Sequence, residues 1–236
     1  MSEQITLKRS MNLLTLTFYG LGTIIGAGIY VLIGEVAGVA GSYMPLSFLL
    51  AGLIAVFTAL SYAELASRFP VSAGEAVYVK NAWNLNWLSG MTGWMIVLMA
   101  IVSAAAITNG FAGYLNVFID MESHWAIIIL CAVLCGIAVY GINLSAYAVF
   151  IITILELAGL AYVVWVAGGM DSLPDQTVFI ALPENSNING VLVGAFLAFY
   201  AFIGFEDMVN VIEEVKDPLR NFPIAILLAI LLSMIC

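Results

Sequence analysis

Glycine residues interrupt the first long apolar stretch of the chain and limit what it can fold into. The stretch extends from about Met11 to Ala40 with no charge before Glu35, and about 20 apolar residues are enough to cross a bilayer. Its glycines lie at positions 20, 22, 26, 28 and 34. Each weakens a helix interior by roughly 1 kcal/mol relative to alanine, so we expect them to serve helix packing or a break.

Two interpretations of these glycines are open. Gly22 and Gly26 form a G-x-x-x-G pair, which would let a neighbouring helix approach one face closely. Gly28 lies about 200° around the helix from Gly26, so one packing face does not include both. A local break fits both glycines better, and the sixth apolar stretch described below favours it further.

A break of this kind would create a binding site. Backbone N–H and C=O groups released at membrane depth are tolerated only inside protein or beside a water-filled cavity. The N-terminus of the outer half-helix would offer N–H groups and a positive dipole end to a carboxylate. The carbonyls that end the inner half-helix would suit a cation, so the two ends together match a zwitterion.

Composition predicts an all-α polytopic membrane protein that lies in a lipid bilayer. Of the 236 residues, 64% are hydrophobic and only 9% are charged, which is unlike a soluble domain. The last apolar run has 14 residues, too few to cross, so we expect the N-terminal portion of a longer protein that stops within its seventh span. The seven runs, termed spans one to seven, are Met11–Ala40, Met44–Ser67, Trp87–Ile119, Trp125–Ile142, Ala146–Gly168, Gly190–Ile212 and Pro223–Cys236.

The distribution of charge predicts the sidedness of the chain. If the spans alternate, all cations lie on one side, which is the cytoplasmic side by the positive-inside rule. The N-terminus is then cytoplasmic, and the opposite loops carry acidic residues without Lys or Arg. The six cations are Lys8, Arg9, Arg68, Lys80, Lys216 and Arg220.

The sixth span contains two adjacent acids, Glu206 and Asp207, where a continuous helix would still be in hydrocarbon. A break around Ile203 and Gly204 would place both acids in the first turn of a new half-helix, whose positive end favours them. Aromatic side chains flank this point and could cover a small ligand or serve as packing bulk. For Phe199 and Phe205 both alternatives stay open. The other two aromatics are Tyr200 and Phe202.

Glu156 lies at the eleventh position of span five, close to the bilayer midplane. A charged side chain there costs about 2.5–3.5 kcal/mol on insertion scales, so it should face protein or water, or bind a proton. A proton-carrying role and a structural role, in which a protonated Glu156 hydrogen-bonds to a neighbouring helix, are both open.

Local motifs predict two helix starts. Ser72 and Glu75 have the spacing of a capping box at the head of a short interfacial helix. Pro223 fits the first helical position of span seven. The outer loop 169–189, with two prolines, is long enough to form an ordered covering structure.

No pattern in the sequence indicates enzyme chemistry. Cys131 and Cys135 share a helix face without an acidic partner nearby, and His124 is the single histidine, so no metal site is expected. The sequence shows no nucleophile triad and no phosphate-binding glycine loop. We therefore expect no enzymatic activity, no cofactor and no nucleic-acid partner.

Three motifs resemble those of the amino acid/polyamine/organocation (APC) permeases, and the resemblance extends over the whole chain. They are Gly26-Ala27-Gly28-Ile29-Tyr30, then Glu64 through Pro70-x-x-x-Gly74-Glu75-x-x-Tyr78, and Phe202-Ile203-Gly204-Phe205-Glu206 followed by Glu213-Glu214-x-Lys216-x-Pro218-x-Arg220-Asn221-x-Pro223. The resemblance implies one transporter domain of two inverted five-helix repeats, with spans one and six broken. The first repeat would cover about 11–168, and the second would begin near 190.

The resemblance also implies roles for individual residues. Backbone N–H groups of Ala27 and Gly28 would hold an α-carboxylate, and an aromatic ring at Tyr200 or Phe202 would close over the ligand. Carbonyl groups would take the α-ammonium, and these belong to Ile24, Tyr200, Ala201 and Ile203. The implied substrate-binding set is Ile24, Gly26, Ala27, Gly28, Tyr200, Ala201, Phe202, Ile203 and Gly204.

Two acids are candidates for coupling. By resemblance, Glu206 would be a pH-sensitive gate or coupling group. Some proton-coupled relatives carry a lysine on span five where this chain has Glu156, so a scheme built on that lysine does not transfer unchanged. Glu156 could carry the proton itself or attract a cation.

The predicted function is secondary active transport of amino acids by alternating access, through proton-coupled symport or exchange. Its partners would be the amino acid substrate and either a coupling proton or an exchanged amino acid, and the sequence indicates nothing about an accessory subunit. The predicted location is the cell membrane. The alternative is a transport-incompetent amino acid sensor that uses the same binding site.

Overall fold

A computed structural model describes residues 9–72, 74–140, 142–168 and 185–236. Of the predicted covering loop at 169–189, the part up to residue 184 lies outside the described residues, and the remainder begins a helix. The described residues are helical apart from their connections and one isolated parallel β-bridge between Met11 and Val215.

Eight α-helices, numbered here in chain order, and two 3₁₀ helices make up the described fold. The 3₁₀ helices are Gly41–Tyr43, between α1 and α2, and Glu206–Glu214, between α7 and α8. The α-helices are α1 Leu13–Ala40, α2 Met44–Arg68, α3 Gly74–Trp83, α4 Asn86–Phe118, α5 Ser123–Val139, α6 Ile142–Gly168, α7 Asn185–Phe202 and α8 Pro218–Ile235.

Six helical stretches of the described chain are long and apolar enough to cross a membrane. The helix of span four, α5, is a shorter apolar helix of 17 residues. The helix of span seven has 18 residues, which is long enough to cross a membrane. The prediction that this span is too short is therefore wrong. The six stretches are Leu13–Tyr30, Leu32–Arg68, Asn86–Phe118, Leu144–Gly168, Ile188–Glu214 and Pro218–Ile235.

The helix of span seven is longer than predicted because it begins at Pro218 and not at Pro223. Asp217 adopts a left-handed conformation, with φ 46° and ψ 61°, and its carbonyl accepts the N–H groups of Arg220 and Asn221. Pro218 takes the first helical position, where a missing N–H costs nothing. Pro223 lies inside the helix, so its predicted role as the first residue is wrong.

The described residues group into two compact units, which we describe separately. The first is drawn from Met1–Ser72 and Val149–Cys236, and in it α1 and α2 each pack against α7 and α8. The packing face of α2 is a row of small buried side chains, spaced four residues apart. Small residues let helix backbones approach closely in a bilayer. The row is Ser47, Ala51, Ala55, Ala59 and Ala63.

The second unit, Ala73–Ala148, contains α3, α4 and α5. The short helix α3 packs against the start of α4, where the Ser89 hydroxyl donates to the Ala76 carbonyl at 2.7 Å. Tyr78 is the buried aromatic side chain of α3. Burial, with a smaller contribution from the charge of Glu75, raises the pKa of Tyr78 to about 12, so this phenol stays neutral at physiological pH.

The small-residue row of α2 generates a stability prediction. Ala55→Leu should lower the free energy of unfolding by about 1–3 kcal/mol, because Ala55 is fully buried and a larger side chain forces its neighbours apart. The matched control is Ala106→Leu at an exposed position of α4, which should change stability little. Thermal unfolding in detergent measures both variants, and equal losses would contradict the packing role of the row.

Candidate functional site

The backbone of α1 leaves helical geometry at one residue. Gly26 has φ 7° and ψ −140°, and the segments on either side of it are helical. A Cβ atom added at Gly26 would meet nothing within 4 Å, so this glycine does not serve close packing. It marks the break that the spacing of the glycines favoured.

Gly22, the other glycine of the G-x-x-x-G pair, is a packing residue. A Cβ atom added there would overlap the Thr153 hydroxyl of α6 and lie 3.1 Å from Val149 Cγ1. The two glycines of the pair therefore have different roles. Gly22 admits a neighbouring helix and Gly26 interrupts its own helix.

The second break follows α7. After Phe202 the Ile203 N–H donates to the Tyr200 carbonyl at 3.2 Å, and Gly204 has a φ of 131°, which favours glycine. Glu206 begins the next helix, as the charge argument predicted, and its Oε2 accepts the Gly204 N–H at 2.8 Å. That helix is a nine-residue 3₁₀ helix and not an α-helix, a length that is uncommon for this type.

The two breaks pack against each other through main chain. A Cβ atom at Gly28 would lie 3.1 Å from Ala201 Cα and 3.2 Å from its carbonyl oxygen. A Cβ atom at Gly204 would overlap the Thr23 carbonyl group and lie 3.3 Å from the Ile24 nitrogen. A side chain at Gly204 would therefore clash with main chain, whereas one at Gly28 would fit only if the Ala201 backbone shifted.

A cleft lies beside these contacts, within the first unit. It is an open cleft, and its roughly 310 Å³ of empty space includes solvent at the mouth. Three of its residues belong to the substrate-binding set that the sequence predicted, namely Ile24, Ala201 and Phe202. The other lining residues are Ile25, Ile29, Phe48, Leu160, Ser233 and Cys236.

Local sequence reasoning missed the lining residues on spans two, five and seven. Phe48, Leu160 and Ser233 lie in ordinary apolar helices, and no local motif marks them. Only knowledge of which helices pack together would have identified them.

The aromatic residues around the second break separate into different environments. Phe205 is buried and packs edge-on against Tyr62, with ring centroids 5.7 Å apart and an interplanar angle of 86°. The ring of Phe205 therefore contributes bulk within the protein. Phe202 is also buried, whereas 53% of Tyr200 is exposed. Phe199 is half-buried.

Glu156 on α6 lies next to the part of α1 that follows Gly26. Its backbone carbonyl accepts a hydrogen bond from the Tyr30 hydroxyl at 3.1 Å. Its carboxylate atom Oε2 is buried and has no hydrogen-bond partner among the described residues. The structural alternative would require the carboxyl group to bond to a neighbouring helix. Among the described residues, Oε2 makes no such bond.

Comparison with known proteins identifies the family. A sequence profile described as "Amino acid permease" matches residues 11–236. The chain belongs to the amino acid permease family. As the sequence predicted, this family and the relatives below are transporters and not enzymes.

Curated relatives match the permease chain along nearly its whole length. The "Cationic amino acid transporter 4, vacuolar" of Arabidopsis thaliana is 32% identical over 97% of this chain and 42% of its own length. The "Branched-chain amino acid permease BcaP" of Bacillus subtilis is 34% identical over 99% of this chain and 54% of its own. The chain thus spans about half the length, or less, of these relatives.

Hydrogen bonds join three connecting segments of the permease at one end of the first unit. The N–H groups of Ser10 and Met11 donate to the Glu214 carbonyl at 2.9 and 3.0 Å, and the Lys216 N–H donates to the Met11 carbonyl at 2.8 Å. The Ser72 N–H donates to Glu213 Oε1 at 3.0 Å. These bonds hold the three segments together at one end of the first unit.

The hydrogen bond from the Ser72 N–H to Glu213 takes the place of the predicted capping box. The Ser72 hydroxyl has no hydrogen-bond partner among the described residues, and its N–H is used by Glu213, 141 positions along the chain. A capping box would need Ser72 to exchange both bonds with Glu75. That prediction is therefore wrong.

The contact between the breaks generates a prediction about stability. Gly204→Ala should cost about 1–3 kcal/mol, because alanine is strained at this φ and its Cβ would overlap the Thr23 carbonyl. The matched control is Gly34→Ala in α1, where a Cβ meets nothing within 4 Å. It should be neutral or stabilise the helix by roughly 0.5–1 kcal/mol. Unfolding midpoints measure both variants, and a harmless Gly204→Ala would refute the contact.

Proposed function

We propose that the protein is a secondary active amino acid transporter that works by alternating access, with its substrate bound at the break in α1 and the break that follows α7, beside their contact. The observation that carries this proposal is the main-chain packing of Gly28 on Ala201 and of Gly204 on Thr23. It brings two sets of helix-end groups into one place inside the protein, where each helix end leaves backbone groups without an intrahelical partner.

The chemistry of these ends suits the backbone of an amino acid. The outer half of α1 begins after Gly26, so the N–H groups of Ala27 and Gly28 would hold the α-carboxylate with help from the positive helix end. Carbonyls at the breaks would take the α-ammonium, and they belong to Ile24, Tyr200, Ala201 and Ile203. The Tyr200 carbonyl already accepts one turn bond and has a second lone pair for the ligand.

The proposed architecture is two inverted repeats of five spans. Interrupted helices at corresponding positions of two halves are typical of transporters with such repeats. Here the interrupted helices are α1 and α7, which belong to spans one and six. The chain would therefore contain the first repeat, about 11–168, and the start of the second, from about 190.

Coupling is proposed to involve two acids with different surroundings. Glu206 binds the N–H of Gly204 at the break, so its protonation would alter a hydrogen bond that shapes the site and could act as a gate. Glu156 has a buried oxygen without a described partner, so it could carry a proton across. Proton symport and amino acid exchange are both compatible with this arrangement.

The family and the charge distribution support the proposed substrate and location. Relatives are named for cationic and branched-chain amino acids, so an amino acid is the proposed cargo. The bonded segments Ser10–Met11, Ser72 and Glu213–Lys216 are proposed to face the cytoplasm, because the cations lie at or near them. The proposed membrane is the cell membrane, although some relatives are named as vacuolar or mitochondrial.

Uptake of labelled amino acids into proteoliposomes tests the function. The protein should accumulate at least one amino acid, and Gly28→Leu should abolish binding because its side chain would enter the contact with Ala201. Gly34→Leu, at a position where a Cβ meets nothing, is the control and should still bind. Binding without uptake would instead identify a sensor. Normal affinity in Gly28→Leu would reject the proposed placement of the site.

Glu156→Gln tests the coupling role. If Glu156 carries the proton, a pH gradient should no longer drive uptake in the variant, because glutamine does not bind and release a proton in this range. Exchange of internal for external amino acid needs no net proton movement and should be retained. The measurement is uptake with and without an imposed gradient, and undiminished gradient-driven uptake would exclude the role.

A further inference from the structure

We propose that Tyr30 is a positioning residue of the transport cycle. Its hydroxyl group holds the outer segment of α1 against α6, and this hydrogen bond, termed the latch, breaks when the site opens to the outer face. The outer segment is residues 27–40, which follow the break and lead away from the proposed cytoplasmic side. The inference rests on the proposed function, because it assumes a substrate site at Ala27 and Gly28 that opens to each face in turn. It goes further by assigning a role to a side chain outside the binding set.

The outer segment can turn relative to the rest of α1 because the break lies directly before it. Gly26 has φ 7° and ψ −140°, and a Cβ atom added there would meet nothing within 4 Å. Packing therefore does not block movement on this side of Gly26. Tyr30 lies four residues later, about one helical turn into the outer segment. A restraint on Tyr30 is thus a restraint on the turn that carries the Ala27 and Gly28 N–H groups.

The latch joins this turn to the main chain of α6. The Tyr30 hydroxyl donates to the Glu156 backbone carbonyl at 3.1 Å, and a carbonyl oxygen has a second lone pair for its own helix. Gly159 leaves space for the phenol, since a Cβ atom there would lie 3.6 Å from the hydroxyl oxygen. The Tyr30 side chain is 40% exposed, so the bond can break and re-form without repacking a core.

The segment before the break contacts α6 in a different way. A Cβ atom at Gly22 would overlap the Thr153 hydroxyl and lie 3.1 Å from Val149 Cγ1. The rings of Phe18 and Phe150 pack with their centroids 4.8 Å apart, and Thr153 is fully buried. Interlocked side chains thus hold the inner part of α1 on α6, whereas a hydrogen bond at an exposed phenol joins the outer segment to it.

The far end of the outer segment packs closely against α7. A Cβ atom at Gly190 would lie 2.5 Å from the Val39 carbonyl oxygen, and one at Gly194 would lie 3.0 Å from Ala40 Cβ. Contacts as close as these keep the outer segment and the start of α7 together when either one moves. Opening towards the outer face then separates this pair from α6, and the latch crosses the line of separation.

The ratio of two Michaelis constants tests the latch. Right-side-out and inside-out vesicles from cells that express the protein give the apparent KM at the outer and cytoplasmic faces, with labelled L-leucine or L-arginine, whichever accumulates faster. Affinity at each face is reduced by the fraction of protein open to that face. Tyr30→Phe removes only the hydroxyl and should raise the outward-open fraction. The ratio of outer to cytoplasmic KM should therefore fall about two- to tenfold, the effect of one hydrogen bond.

Matched variants separate the latch from general damage. Tyr147→Phe, at an exposed tyrosine of α6, should leave the KM ratio unchanged. Gly159→Val breaks the latch from the α6 side, because a branched side chain would displace the phenol, and should lower the ratio as Tyr30→Phe does. Its control is Gly136→Val on α5, where a Cβ atom meets nothing within 4 Å. The ratio does not depend on the amount of folded protein, so partial unfolding does not mimic the effect.

The double variant of Tyr30→Phe and Gly159→Val shows whether both changes act through one contact. It should lower the ratio no further than the larger single change, because changes that remove the same contact are not additive. Full additivity would overturn the assignment of the latch to this pair. Where Tyr30→Phe does not fold, Gly159→Val alone gives the same test.

The same measurements separate the latch from the proposed function. Uptake with an unchanged or raised KM ratio in Tyr30→Phe would overturn the latch and leave the amino acid site intact. Failure of the unaltered protein to bind or take up any amino acid would overturn the proposed function itself, and the latch with it.

Discussion

The close approach of Gly204 to the carbonyl of Thr23 is the contact on which the first unit depends. Each partner lies near the interruption of its helix, and a side chain at Gly204 would overlap the Thr23 carbonyl. Backbone groups without helical partners are costly at membrane depth unless protein surrounds them. Packing the two breaks against each other supplies that protein environment, so each interruption is tolerated because the other is beside it.

Small side chains on the surrounding helices let their backbones approach the breaks closely. In a bilayer, burial of apolar surface contributes little to helix association, and close packing of small residues takes its place. The row of alanines on α2 lets that helix approach α7 and α8. At its start, the buried Ser47 hydroxyl donates to the Val191 carbonyl at 3.0 Å and lies against Gly194. The helices around the breaks thus also depend on small residues for close packing.

Sequence reasoning succeeded where the signal was local and failed where the partner was distant. The break at Gly26 and the helix start at Glu206 follow from glycine spacing and from the cost of adjacent acids. The separate role of Gly22 depends on Thr153, more than a hundred residues away, and the lost capping box depends on Glu213. The misplaced helix start at Pro223 is a local error, because the left-handed Asp217 precedes a helix that begins at Pro218, five residues earlier.

The two acids of the proposed coupling scheme differ in what compensates their charge. An ionised Glu206 accepts the N–H of Gly204 and lies in the first turn of its helix, and both features stabilise a negative charge. For Glu156 the Tyr30 hydroxyl bonds to the backbone carbonyl and leaves Oε2 without a described partner. A carboxylate that lacks a protein donor gains most from a proton or a cation. This difference favours Glu156 as the group that exchanges an ion and Glu206 as the group that holds the shape of the break.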